Sequence, residues 1–136
     1  MGNIIQPPIP LEKLLFLRAC TLNNIPEVKS LLAGGADVNW RWRNNGGWSG
    51  LHLAAVHNYQ ELLELLLAQP SLDVNLSDEA SNVAPRTALM EACERRHHNI
   101  VTRLCQVPGI DIHSGLDCVL RIVSSHHLDI VKTFIR

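Results

Sequence analysis

Ser49-Gly50-Leu51-His52-Leu53-Ala54-Ala55 is the stretch on which the fold turns. Leu51, Ala54 and Ala55 fall on one stripe at helical spacing, and the small pair lets a neighbouring helix approach closely. The same order, large, any, any, small, small, occurs earlier at Phe16-Leu17-Arg18-Ala19-Cys20 and later at Leu89-Met90-Glu91-Ala92-Cys93. A weaker copy is Val119-Leu120-Arg121-Ile122-Val123. A second phrase alternates with the first: Ala36-Asp37-Val38-Asn39, Leu72-Asp73-Val74-Asn75 and Ile110-Asp111-Ile112-His113. Its Asp residues lie 36 and 38 positions apart, a period that belongs to stacked repeats.

Each unit reads as a helix pair. Second helices are predicted over 27–32, 60–68, 99–107 and 128–135. Leu62, Leu63, Leu65, Leu66 and Leu67 are denser than one amphipathic face needs, so the second helix is expected to be covered on more than one side. Gly34-Gly35, Pro70 and Pro108-Gly109 stop these helices. Asn23, Asn24 and Asn58 suit the turn inside each pair, because Asn tolerates left-handed backbone.

The chain has 136 residues, 46 % apolar and 18 % charged, with a formal net charge of −1. This is globular composition, sufficient for a core without staples, and no polycation for nucleic acid or lipid. No run approaches a membrane-spanning helix or a secretory signal. The start Met1-Gly2-Asn3 has Gln6 where an acylation signal calls for Ser or Thr. Cys20, Cys93, Cys105 and Cys118 form no CxxC pair and are expected to be free, buried thiols in a reducing, intracellular setting, cytoplasmic or nuclear.

Taken together, Ser49-Gly50-Leu51-His52-Leu53-Ala54-Ala55, Thr87-Ala88-Leu89-Met90-Glu91-Ala92 and Gly34-Gly35-Ala36-Asp37-Val38-Asn39 resemble the ankyrin repeat family. The resemblance covers 11–136 and implies a mainly α solenoid with a β-hairpin and an antiparallel helix pair per repeat. The expected organisation is a lead at 1–10 and repeats at 11–39, 40–75, 76–113 and a truncated 114–136. Gly50 and Ala88 stand where the family has Pro, which loses a preset φ and predicts weaker second and third repeats. Asn39 to Ser49 spans ten positions and Asn75 to Thr87 twelve, so both hairpin fingers are expected to be longer than usual. The last helix is still apolar at Arg136, which predicts a piece of a longer array or a short form with an associating end.

The resemblance also implies protein binding, without catalysis or cofactor, through the fingers and the concave side of the first helices. The first finger carries Trp40, Arg41, Trp42, Arg43 and Trp48 around an Asn44-Asn45-Gly46-Gly47 turn. Strand alternation sets Trp40 and Trp42 on one face and Arg41 and Arg43 on the other. Trp and Arg are enriched in binding hot spots; the competing reading is that the Trp rings cover neighbouring apolar surface. Val56, His57, Glu94, Arg95 and Arg86 complete the candidate face. Its arginines predict a locally basic side and a partner with acidic groups; nucleic acid and membrane are not expected, and the chain is expected to be monomeric.

His52 holds the family's histidine position, which implies a structural hydrogen bond. Asn39 and Asn75, with Leu31 and Leu67 eight residues earlier, resemble ankyrin sites of asparaginyl hydroxylation. Two alternatives remain: an adaptor or targeting portion of a larger multidomain protein, enzymatic beyond Arg136, and a Cys/His metal site. The latter would draw on Cys93, His97, His98, Cys105, His126 and His127, but zinc needs four converging ligands that spacing does not supply.

Overall fold

The computed structural model describes residues 11–41, 47–78 and 86–112. Six helices follow one another: α1 (Leu11–Thr21), α2 (Ile25–Ala33), α3 (Gly50–His57), α4 (Gln60–Leu67), α5 (Ala88–Glu94) and α6 (His98–Cys105). Each odd helix packs on the even helix after it. Across units, α1 packs on α3 and α3 on α5, while α2 meets α4 and α4 meets α6. The result is two rows of helices, a stack of helix pairs. The expected fourth pair, with Val119 and residues 128–135, lies outside the described residues.

Within each pair the turn is built the same way. Asn24, Tyr59 and His97 donate their backbone N–H to the carbonyls of Ala19, Ala54 and Ala92 at 2.9, 2.9 and 3.0 Å. The residue before each is left-handed: Asn23 at φ 55°, Asn58 at φ 60° and Arg96 at φ 60°. Both residues have a Cβ that crowds the following carbonyl, but the short amide of Asn offsets this by local hydrogen bonding, which the long Arg side chain does not. Asn24 caps α2 through its Oδ1 and Pro26 occupies the first turn, which starts that helix earlier than its spacing suggested.

The row of first helices is the core. Phe16, Cys20, Leu51, Ala54, Ala55, Leu89, Ala92 and Cys93 are all buried. In α3 every residue from Gly50 to Ala55 is buried. The second helix α4 is covered by α3, α2 and α6, as its leucine density predicts, and the middle first helix is buried more completely still. α4 buries Leu62, Leu63 and Leu66 and exposes Glu61 and Glu64. The middle first helix is enclosed by α1, α5 and α4 at once, whereas α4 keeps a face in water. Gly50 belongs to this enclosure. A Cβ there would stand 3.1 Å from Cys20 Sγ and 3.3 Å from Phe16 Cε2. The glycine is therefore a close-approach position, and the bulk of α1 fills the place a proline ring would take.

Polar links tie one unit to the next. The Asn39 amide donates to the Ser71 carbonyl at 2.8 Å, and its Oδ1 accepts from Asp73 N at 2.8 Å. One unit on, Asn75 repeats this with Gly109 O at 2.9 Å and Asp111 N at 2.7 Å. Asp37 and Asp73 hold these loops by accepting from Asn39 N and Asn75 N at 2.9 and 3.0 Å. Tyr59 Oη donates to Thr21 O at 3.0 Å. His97 Nδ1 reaches Ala55 O at 2.8 Å and must carry the proton, since a carbonyl only accepts. On the outer row Arg103 pairs with Glu64 at 2.8 Å.

Cys20, Cys93 and Cys105 are buried. Burial pushes the thiols of Cys20 and Cys105 up to about 12, so they pack as small apolar side chains. Cys118 lies outside the described residues.

Two outcomes follow from this packing. Gly50→Pro, although it restores the family residue, is expected to cost about 1–3 kcal/mol in urea denaturation through overpacking against Phe16 and Cys20. Arg96→Asn is expected to gain about 1 kcal/mol in the same assay by relieving the left-handed backbone.

Candidate functional site

The fingers meet the first helices along one side of the stack. Gly47, buried and at φ 72°, leads the first finger back into Trp48. Trp40 and Trp48 are each half-buried against the core. Lys13 Nζ lies 5.5 Å from the Trp40 ring and the Arg95 guanidinium 6.0 Å from the Trp48 ring, both within cation–π range. Arg41 turns the other way and donates from Nη1 to the Ser77 carbonyl at 2.5 Å, joining the first finger to the base of the second. Trp42 and Arg43 lie outside the described residues.

The second finger closes on an antiparallel bridge between Ser77 and Thr87. Asp78 N donates to Arg86 O at 2.8 Å and Arg86 N to Asp78 Oδ1 at 3.1 Å. The described residues give the second finger a paired base; residues 42–46 and 79–85 fall outside them.

Arg86 then folds over the start of α5. Its Nε donates to Glu91 Oε2 at 3.2 Å and its Nη2 to Met90 O at 3.3 Å, and Nη2 also pairs with the Glu94 carboxylate. Arg95 Nη1 meets Glu91 Oε1 at 2.5 Å. Glu91 is 4 % exposed, so one buried carboxylate holds two guanidinium groups beside the second finger's base. This alters the expected charge of the candidate face: Arg86 and Arg95 are balanced in place by Glu91 and Glu94, and the face is not simply basic.

Glu91 was missed by the sequence reading. Its signal is positional: it stands where the preceding unit has Leu53, and a carboxylate at a buried helical position requires a partner. Arg86 and Arg95, five before and four after, supply two. Val56 and His57 end α3, half-buried and exposed. His57 stacks on Tyr59 at a centroid distance of 5.2 Å and is not part of the Glu91 cluster.

His52 is fully buried. Its Nε2 lies 2.9 Å from Arg86 O and must donate, so Nδ1 is the acceptor for Ser49 N at 3.2 Å. Ser49 Oγ in turn accepts from His52 N, completing a capping box at the start of α3. The ring thus spans two units. Asn39 and Asn75 use both ends of their amides in the links described above. Among the described residues no group of three or more His, Cys, Asp or Glu is placed to hold a metal ion, and none of their helices is long and apolar enough to cross a membrane.

Glu91→Gln is expected to lower stability by about 1–2 kcal/mol in urea denaturation, since it weakens two charge-assisted bonds whose arginines are partly solvated. It is also expected to quench the difference in Trp fluorescence between wild type and Arg95→Ala, because Arg95 loses its hold above Trp48.

A family model described as ankyrin repeats, three copies, matches residues 10–78. Similar proteins include mitochondrial disaggregase of Bos taurus, 42 % identical over 67 residues, covering 49 % of this chain and 10 % of that protein. SMC5-SMC6 complex localization factor protein 1 of Homo sapiens is 30 % identical over 122 residues, covering 87 % and 11 %. Photoreceptor ankyrin repeat protein of Homo sapiens is 31 % identical over 100 residues, covering 73 % and 20 %. The chain spans about a tenth to a fifth of the length of these relatives. Ankyrin repeats in general bind protein partners and are non-catalytic. With three stacked helix pairs, a repeated Asn bridge and a family match over half its residues, this chain belongs to the ankyrin repeat family.

Proposed function

We propose that the chain is a non-catalytic protein-binding module that holds a protein partner through its fingers and the concave ends of its first helices. The observation that carries this reading is the platform at Trp48. An indole ring, half in water, lies under the Arg95 guanidinium, and buried Glu91 fixes that guanidinium. A Trp and an Arg held in place before contact lose little freedom on binding, which is what makes such residues hot spots. Trp40, Arg41, Val56, His57, Arg86 and Glu94 are proposed for the same partner-binding surface, with Trp42 and Arg43, outside the described residues, as further candidates from the sequence. An acidic group on the partner reaches Arg86 by displacing Glu94, whose side chain is the more exposed of the pair.

We further infer that the repeat domain runs over 11–136, acts inside the cell without cofactor, nucleic acid or membrane, and is monomeric. Its small share of each relative's length favours the reading that it serves as an adaptor or targeting portion of a larger protein. Asn39 and Asn75 are proposed substrates for hydroxylation; both amides are tied across units, so a hydroxylase must first free the loop.

The test is affinity capture with mass spectrometry, run beside a Trp40→Ala/Trp42→Ala variant. Loss of partner recovery by tenfold or more, with helical circular dichroism retained, is the expected result; a hot-spot Trp contributes about 2 kcal/mol or more. Unchanged recovery, or a melting point lowered by many degrees, assigns the rings to packing instead.

A further inference from the structure

Three side chains hold the same place in successive units. Leu22, His57 and Arg95 each precede the left-handed residue of their turn, Asn23, Asn58 and Arg96. All three are exposed, and Leu22 keeps 61 % of its surface in water. They stand at the ends of α1, α3 and α5, which pack side by side in that order, so they form one row across the stack. Bonds beside the row hold it in register. Tyr59, whose ring stacks on His57, donates to Thr21 O, and His97 donates to Ala55 O. Packed helices stand about 8–10 Å apart, which makes the row roughly 16–20 Å long from Leu22 to Arg95.

The chemistry changes along the row. An aliphatic side chain stands at one end, an aromatic stack in the middle and guanidinium groups at the other. Arg86 and Arg95 share Glu91 and Glu94, but exposed Arg96 has no ion pair among the described residues. Nor has exposed Arg18, one turn before Leu22. Arg18, Arg86, Arg95 and Arg96 are thus set against only Glu91 and Glu94, an excess of positive charge along the row. Arg96 also holds φ 60° where both equivalent positions have Asn, and a residue kept in a strained conformation points to a use for its side chain.

We propose that this row seats an extended acidic peptide of the partner: an apolar side chain of the peptide covers Leu22, and a carboxylate farther along pairs with Arg95 and Arg96. At about 3.3 Å per extended residue, the two groups lie roughly five or six positions apart in the peptide. The proposal rests on the reading of the chain as a protein-binding module and names the chemistry that the module accepts. An exposed leucine leaves water favourably only against an apolar group. A guanidinium without a carboxylate of its own gains most from one on the partner, which it can hold through two parallel bonds. Acidic residues beside the anchor meet Arg18, and the His57–Tyr59 stack underlies the stretch between the two ends. The left-handed Arg96 is then the cost of placing a charge at the end of the row.

The experiment is selection of random twelve-residue peptides displayed on phage against the immobilised full chain. The most enriched peptide is then synthesised with a fluorophore and titrated by anisotropy against wild type, Leu22→Ser and Arg96→Asn. Enriched peptides are expected to carry an aliphatic or aromatic residue about five or six positions from Asp or Glu. Leu22→Ser is expected to weaken the probe by about tenfold, as loss of a leucine contact does. Arg96→Asn is expected to weaken it by about three- to fivefold, the size of an exposed ion pair, while raising the urea midpoint. Opposite signs in binding and stability set the role of Arg96 in the row apart from a role in folding. Enriched peptides without the apolar–acidic pair, or with the two groups ten or more positions apart as a helix would space them, overturn the proposal. So does a probe that binds all three proteins alike, or a selection that enriches nothing. In each of those cases the binding-module reading is judged separately. It stands if affinity capture recovers a partner that the Trp40→Ala/Trp42→Ala variant loses, and it falls if capture recovers none.

Discussion

The constraint on which this molecule rests is that no helix pair can cover its own apolar surface. α3 is eight residues long and buried from Gly50 to Ala55, and the atoms that bury it belong to α1, α4 and α5. So short a helix has no stability of its own in water; it exists because its neighbours enclose it. Close approach along the row of first helices makes that possible. Alanine and cysteine at 54, 55, 92 and 93 keep the axes near, and at Gly50 even a methyl group meets Phe16 and Cys20. Dispersion and apolar burial at this seam contribute more than the polar links around it, which are largely exposed and compete with water.

Those polar links do a different job. The Asn39 and Asn75 bridges, the Tyr59 and His97 contacts and the His52 bond all run from one unit to the next. Apolar packing alone tolerates sliding; hydrogen bonds with fixed donors and acceptors set the register of the stack. His52 and Arg86 show how the two levels connect. The ring orients the Arg86 backbone, the Arg86 side chain shares Glu91 with Arg95, and Arg95 covers Trp48. A buried imidazole is thereby linked to a half-buried indole through two arginines and one buried carboxylate.

The repeat architecture was legible because it rests on local chemistry repeated at a fixed period. Small residues at 19, 20, 54, 55, 92 and 93, left-handed Asn at 23 and 58, and the Asp-Val-Asn phrases each announce a local geometry, and the described structure adopts it. The second helix α4 is covered on more than one side, as expected, and α3 is buried more completely. Leucine density in 60–68 marks the buried side of α4, whereas the fuller burial of α3 rests on glycine and small residues that let α1 and α5 approach closely.

Sequence by itself determined the kind of the described units and the turns within them, because these follow from periodicity and backbone preference within a few residues. Only the tertiary structure decided what the charged groups do. Arg86 and Arg95 read as a basic surface along the chain, yet in space both fold onto Glu91, a carboxylate in a position that the pattern marks as apolar. Charge pairing depends on distances between side chains from different elements, and no spacing along a chain carries that information until the helices are stacked.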